Sequence, residues 1–446
     1  MRLITRHPKY YFLELYHALV PSSARAAYLA IGIAFLGFFL SFSVNALLAQ
    51  LLGVVNYGMY SAIVSVFMLL SIPVLLGFDD ATVNFVPAYF QSGQYGKIRG
   101  YLAYMIKWCW PIITVFILIG AFLPYILQQL NQQSLISTHP YLSYIWFIPV
   151  IGLMNILTSY LIATGKNNFS LFLQTLLQSI IMVLVLEILR YFHQDLSVTQ
   201  ATWLYMSTII IICLLGGMVV SASTGKMVLH SQAITTNIPQ WRATSFEMLI
   251  LAFTNINLIS VTILAVQYFS TDTHGAGIFS AINTIVGAMW VIQIAMQTIY
   301  TPNLSAVISQ QGAITPLLKR TILSCLIPGA IVLLIFIIAG HKILAMFGPE
   351  FIVGYPELIL VGVTAFIAIL LIPFYWCLQY SKKIKILMWG VVIIFIVYIP
   401  LVCYLSHLYS LWGVSISYCL VNLCYDAFFL ILMRNEVVAL FKGTPT

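Results

Sequence analysis

The chain has 446 residues, 62% of them hydrophobic and only 7% charged, with a net charge of +8. A soluble domain of that size cannot cover its surface with so little charge, which excludes a soluble globular protein. The basic excess calls for no nucleic acid, because loops facing anionic headgroups carry the same balance.

Residues 1–27 mix Tyr10, Tyr11, Phe12, Leu13, Leu15 and Tyr16 with Lys9, Glu14 and His17. They show neither the single apolar core nor the small-residue cleavage site of a secretory signal. The mixture predicts a cytoplasmic, interfacial amphipathic helix. Apolar runs of roughly 20 residues then follow, matching the hydrocarbon thickness at 1.5 Å rise per residue. Twelve spans are predicted, near 28–50, 59–78, 101–127, 143–163, 169–192, 200–222, 244–269, 276–298, 317–340, 353–378, 384–405 and 409–433. Helices satisfy every backbone polar group inside lipid, so an all-α polytopic membrane protein is expected. Connections are short, and residues 434–446 form a cytoplasmic tail.

The basic residues test this count. With the N-terminus in the cytoplasm, 17 of the 19 Lys and Arg residues fall inside, and only Arg190 and Lys342 fall outside. A wrong span count scrambles that parity, so twelve spans with both termini cytoplasmic are expected. The seven cysteines all fall within predicted spans at no metal-ligand spacing. Neither a disulfide nor a metal site is expected.

The two halves of the chain resemble one another. Tyr57-Gly58-Met59-Tyr60-Ser61-Ala62-Ile63 matches Ala276-Gly277-Ile278-Phe279-Ser280-Ala281-Ile282 at a shift of 219. Arg25-Ala26 matches Arg242-Ala243 at 217, Gly165-Lys166 matches Ser381-Lys382 at 216, and Pro87 matches Pro302 at 215. Four ordered matches at nearly one shift predict two six-helix lobes, residues 28–222 and 244–433, joined by a cytoplasmic linker over 223–243. Six is even, so both copies start on the same side and the pseudo-two-fold axis runs along the membrane normal. Two lobes around a central cavity suit alternating access. Gly58 and Gly277 are expected in tight turns outside the membrane, where a positive φ suits glycine.

Leu51-Leu52-Gly53-Val54-Val55-Asn56-Tyr57-Gly58-Met59-Tyr60-Ser61 resembles the turn after the first span of polysaccharide exporters. Gly93-Gln94-Tyr95-Gly96-Lys97-Ile98-Arg99 resembles their first cytoplasmic connection. On these residues the chain resembles the multidrug/oligosaccharidyl-lipid/polysaccharide (MOP) exporter superfamily along its full length. It departs at Thr82-Val83-Asn84-Phe85, where that family often carries an Arg. Span 1 also lacks the acidic residue of the drug-exporting branch; its polar members are Ser41, Ser43, Asn45 and Gln50. The resemblance therefore tilts to the O-antigen flippase (Wzx-like) branch. It implies a bacterial inner-membrane flippase for undecaprenyl-diphosphate-linked oligosaccharides, beside polysaccharide polymerase machinery, with no cofactor. A cation-coupled multidrug or small-molecule antiporter stays open, and so does an integral membrane enzyme.

Charge inside a membrane is costly, which makes Asp426 in span 12 and Glu247 in span 7 candidates to couple H⁺ or Na⁺. A structural pair is the competing reading, with Arg434 eight residues from Asp426. Arg25 and Arg242, at equivalent starts of the lobes, are candidates to receive a diphosphate bidentately; positive-inside anchoring competes. Lys107 is a candidate for the cavity wall, though its stem can snorkel to the interface. Among the amides within spans, Asn45 and Asn283 are the candidates to meet sugar hydroxyls, with helix-to-helix bonding as the alternative. Asp79-Asp80 is expected to end a helix rather than act in glycosyl transfer. The histidines lie in tails and connections, and no G-x-x-x-x-G-K-[ST] run is present. No catalytic residue is therefore assigned. A cavity lined by basic groups would favour the flippase, and a lone carboxylate in an apolar lobe the antiporter.

Overall fold

The computed structural model describes residues 22–434 except 131–134, 136–138, 194–195, 223–225, 236, 256, 310–313 and 380–382. At some further helical positions, Arg25 among them, only the backbone is described. The expected interfacial helix falls almost wholly outside the described residues.

The chain is an all-helical, polytopic membrane bundle. Among the described residues, nine helices are long and apolar enough to cross a membrane. Two of these are double. Helix α1 (Ser22–Leu75) holds spans 1 and 2 across a break at Gly53, with φ 73° and ψ 166°. Helix α13 (Ile384–Leu432) holds spans 11 and 12 across a break at Ser410, with φ 48°. Two shorter helices, α8 (Ile238–Asn255) and α9 (Asn257–Phe269), occupy the place of span 7. Counted this way, twelve crossings remain. The loops expected at both double helices are thus single-residue joints, which is why their ends differ from the expected spans.

Between these lie α2 (Phe78–Gln91), α3 (Tyr95–Gln129), α4 (Ile148–Ala163), α5 (Asn167–Tyr191), α6 (Val198–Val220) and the short α7 (Lys226–His230). After α9 come α10 (Gly275–Ser309), α11 (Thr315–Ala345) and α12 (Tyr355–Gln379). Asp79 and Asp80 begin α2 rather than end a helix. Leu76 and Gly77, at φ 51° and 73°, break the chain just before them. Two carboxylates in a first turn face the positive end of the helix dipole.

The broadest contact between the halves runs along α1 against α10 and α9. At one end, the expected turn glycines prove to be contact glycines. A Cβ on Gly58 would lie 2.8 Å from the Gly277 nitrogen, and one on Gly277 only 2.1 Å from the Val54 carbonyl oxygen. Neither is among the positive-φ residues; Gly53 supplies that geometry instead. Equivalent positions of a repeat touch only near the axis that relates them, so the pseudo-two-fold passes between α1 and α10 here. Gln50 Nε2 adds a bond of 2.6 Å to the Met346 carbonyl.

At the opposite end, Gly77 meets α8. A Cβ there would sit 2.2 Å from the Ser245 carbonyl oxygen. The connection between the halves is strapped onto α3. Ile234 N–H donates to the Gly96 carbonyl at 2.9 Å, and a Cβ on Gly100 would lie 2.1 Å from the Ile234 oxygen. Trp241 is fully buried against Tyr101 and donates from Nε1 to the Tyr89 hydroxyl at 3.1 Å.

Candidate functional site

The glycine contact closes one end of a cavity of about 600 Å³ between the halves. Its wall comes from both arms of α1, from α5 and α6 of the first half, and from α9 and α10 of the second. The wall runs from Leu48 to Ala34, from Tyr57 to Met68 and from Ser280 to Ile294. These stretches cover eleven to fourteen steps, or roughly 16–21 Å at 1.5 Å rise per residue.

No Asp, Glu, Lys, Arg or His lines this cavity among the described residues. The polar wall consists of amides, hydroxyls and one indole. Tyr57 donates its hydroxyl to Asn45 Oδ1 at 3.0 Å, and Asn45 Nδ2 donates to the Ser41 carbonyl at 2.9 Å. Asn45 thereby ties the two arms of α1 together beside the seal. Across the cavity, Asn283 makes no side-chain hydrogen bond to the described residues. Trp290 lines the wall two turns along, and its Nε1 has no partner among the described residues.

The α5 wall has an irregularity. Its turns over Phe172–Leu177 are π-helical, an insertion that re-aims side chains and recurs at functional positions. Gln174 and Thr175 of this stretch face the cavity, and Gln174 Nε2 donates to Ser170 Oγ at 3.2 Å. Many lining hydroxyls have already spent their protons. Ser65, Thr175, Ser280 and Thr284 each donate to a carbonyl one turn back, at 2.7–2.9 Å. This back-bonding satisfies hydroxyls in a helix without water. What they turn to the cavity is lone pairs. Aromatic faces of Phe38, Tyr60 and Tyr205 complete the wall.

The remaining expected residues lie elsewhere. Asn45 and Asn283 share the cavity. Arg242 is exposed on α8, one residue after buried Trp241. Arg25 stands in the first turn of α1, nine residues before the cavity wall begins at Ala34, with its side chain outside the described residues. Lys107 is exposed on α3 between exposed Ile106 and Trp108, away from the cavity. Glu247 is half-buried on α8. Asp426 is buried on α13, and its Oδ2 has no partner among the described residues. The exposed Arg434 makes no ion pair with it there. Glu357, at the start of α12, shares this condition: it is buried with Oε2 unpartnered among the described residues. Sequence reading passed over Glu357; the signal was an acid at the head of the apolar run 353–378.

Outside the spans, Asp79 is pushed up to about 6, mainly by burial and then by the neighbouring Asp80 charge. The backbone amides of the two residues oppose this more weakly. Asp80 moves in the same direction through burial alone.

No family model matches this chain, and no curated protein matches it in sequence. Solved structures do match in fold. A multidrug resistance MATE family transporter of the MOP superfamily, in an inward-facing conformation, superposes with TM-score 0.70 at 12% identity, covering 94% of this chain and 99% of that one. The lipid II flippase MurJ, in an inward closed conformation, gives 0.66 at 14% identity, covering 92% of this chain and 91% of its own. The MATE multidrug transporter DinF-BH, in complex with R6G, gives 0.59 at 16%, covering 95% and 97%. At such identities the likeness establishes the fold, over essentially the whole length of each chain.

Proposed function

We propose that this chain is a membrane transporter that flips a lipid-linked oligosaccharide by alternating access between two six-helix lobes. The proposal follows the expected lobes, residues 28–222 and 244–433, rocking about the Gly58–Gly277 contact. The observation that carries it is the uncharged, hydroxyl- and amide-lined cavity with aromatic faces. Sugar hydroxyls both donate and accept, and apolar ring faces stack on aromatic side chains, so such a wall fits a glycan. The cavity matches neither anticipated extreme, being neither basic nor built around a lone carboxylate. Glycan recognition and charge handling are therefore proposed to be separate. Asn283 and Asn45 serve the sugar. Arg25 and Arg242 receive the diphosphate at the end of the molecule that carries them, in a bacterial inner membrane with both termini cytoplasmic. Asp426 binds the coupling H⁺ or Na⁺.

A second reading, a multidrug antiporter, draws on Asp426: a buried carboxylate whose Oδ2 has no partner among the described residues suits cation exchange. Deletion of the gene separates the two. The flippase reading expects loss of a surface glycan and accumulation of its diphosphate-linked lipid precursor. It expects restoration by the wild-type gene and weak restoration by Arg25→Gln or Arg242→Gln. Unchanged glycans with increased sensitivity to cationic drugs would replace it with the antiporter.

A further inference from the structure

The wall of the cavity constrains more than the presence of a sugar. Every described side chain lining it is neutral. Four of its hydroxyls, Ser65, Thr175, Ser280 and Thr284, are committed as donors to their own helix carbonyls. They offer a ligand oxygen lone pairs, not protons. Tyr57 likewise gives its proton to Asn45 Oδ1. The donors left for a ligand are all neutral, among them the Asn283 and Gln178 amides and the Trp290 indole N–H, which has no other partner among the described residues.

A ligand suited to this wall supplies donors to these lone pairs and carries no formal charge. A neutral sugar does so through each of its hydroxyls. A carboxylate does not: it is acceptor-only when ionised. In this cavity it would lose its water, and no cation among the described lining residues would compensate. We infer that the cavity selects oligosaccharides made of uncharged sugars and rejects those bearing a carboxylate, such as uronic acids. This rests on the flippase reading above and names the substrate class for it. The diphosphate does not contradict it, because that group joins glycan to lipid and can stay at the headgroup level while the sugars occupy the wall.

The test uses the full-length protein reconstituted in vesicles, with folding checked by a cooperative thermal melt. Two fluorescent polyprenyl-diphosphate trisaccharides of equal length serve as probes, one all neutral hexose and one with its terminal hexose replaced by the uronic acid. Flipping is read by the fraction of probe reachable by an added glycosidase. The expected result is a rate at least about tenfold higher for the neutral probe, equivalent to about 1.4 kcal/mol. The replacement Asn283→Lys puts a cation into the wall and should narrow or reverse that ratio. Equal rates for the two probes, or faster movement of the acidic one, would overturn the selectivity while leaving the flippase reading intact. Movement of neither probe by the folded protein would remove the flippase reading and this inference with it. Should Asn283→Lys fail to fold, the wild-type ratio still decides the matter.

Discussion

The two halves of this molecule handle polarity in opposite ways. The first half lines the cavity with α1, α5 and α6, and its polar groups there are all neutral, several of them bonded to their own helices. The second half contributes Ser280, Asn283, Thr284 and Trp290 to the same wall, yet it also buries Asp426 and Glu357 away from it. A buried carboxylate without a partner is costly, whereas a hydroxyl back-bonded to its helix is cheap. Among the described residues, the buried carboxylates with an unpartnered oxygen thus lie in one half only, and away from the cavity. That asymmetry, laid over a repeated architecture, is what we read as a division between glycan recognition and ion coupling.

The largest effect should come from the contact that the halves share. Gly277→Val places atoms where even a Cβ would lie 2.1 Å from the Val54 oxygen. Overpacking of this kind costs about 1–3 kcal/mol, here charged wholly to the sealed state. Transport should be lost, and cysteines placed near Asn283 should become reachable from the Gly58 end. Normal transport would show that this end need not seal.

Next comes the carboxylate of the second half. Moving one charge through 100 mV is worth about 2.3 kcal/mol, or about fiftyfold in a driven distribution. Asp426→Asn should abolish that dependence on an imposed ion gradient while leaving substrate binding near wild type. A variant that still responds to the gradient would move coupling to another group, with Glu357 the next to test. A smaller effect is expected in the cavity wall. Asn283→Ala removes a neutral hydrogen bond worth roughly 0.5–1.5 kcal/mol, so binding should weaken about two- to tenfold. Asn45→Ala should cost stability as well, because Asn45 holds the two arms of α1 together.

The last effect concerns pH and lies outside the spans. Folding raises the Asp79 carboxyl from 3.8 to about 6. The folded chain then binds that proton more tightly than the unfolded chain. The stabilising contribution is fully present below about pH 4 and is lost as pH rises through about 6. Asp79→Asn should flatten the melting temperature across that window and melt higher than wild type at pH 7. An unchanged pH profile would show that Asp79 is solvated.

The span count and the two-half architecture were legible because a bilayer imposes a length on every helix and Lys and Arg mark its sides. The repeat also marked Gly58 and Gly277 as equivalent. It could not tell a turn glycine from a contact glycine, since that depends on which helix lies opposite. Gly53 and Ser410 replaced expected loops because one residue outside helical geometry suffices to turn a chain. Asp79-Asp80 was placed at the wrong end of a helix, the break at Leu76–Gly77 being the decisive and local signal. In the cavity, residue types were readable and their facing was not. Lys107 shows why: it sits on a face of α3 that packing leaves outside. The neutrality of the wall emerged only once the helices were rotated into place.

The most direct measurement asks whether a lipid-linked glycan occupies this wall. Thr284→Cys, in a chain whose native cysteines are replaced, would be labelled by a small thiol reagent with and without a polyprenyl-diphosphate oligosaccharide of neutral sugars. The account predicts that this lipid slows labelling at Thr284→Cys, while the same lipid carrying no sugar does not. Equal labelling rates with and without the glycolipid, in protein that still flips it, would contradict the account.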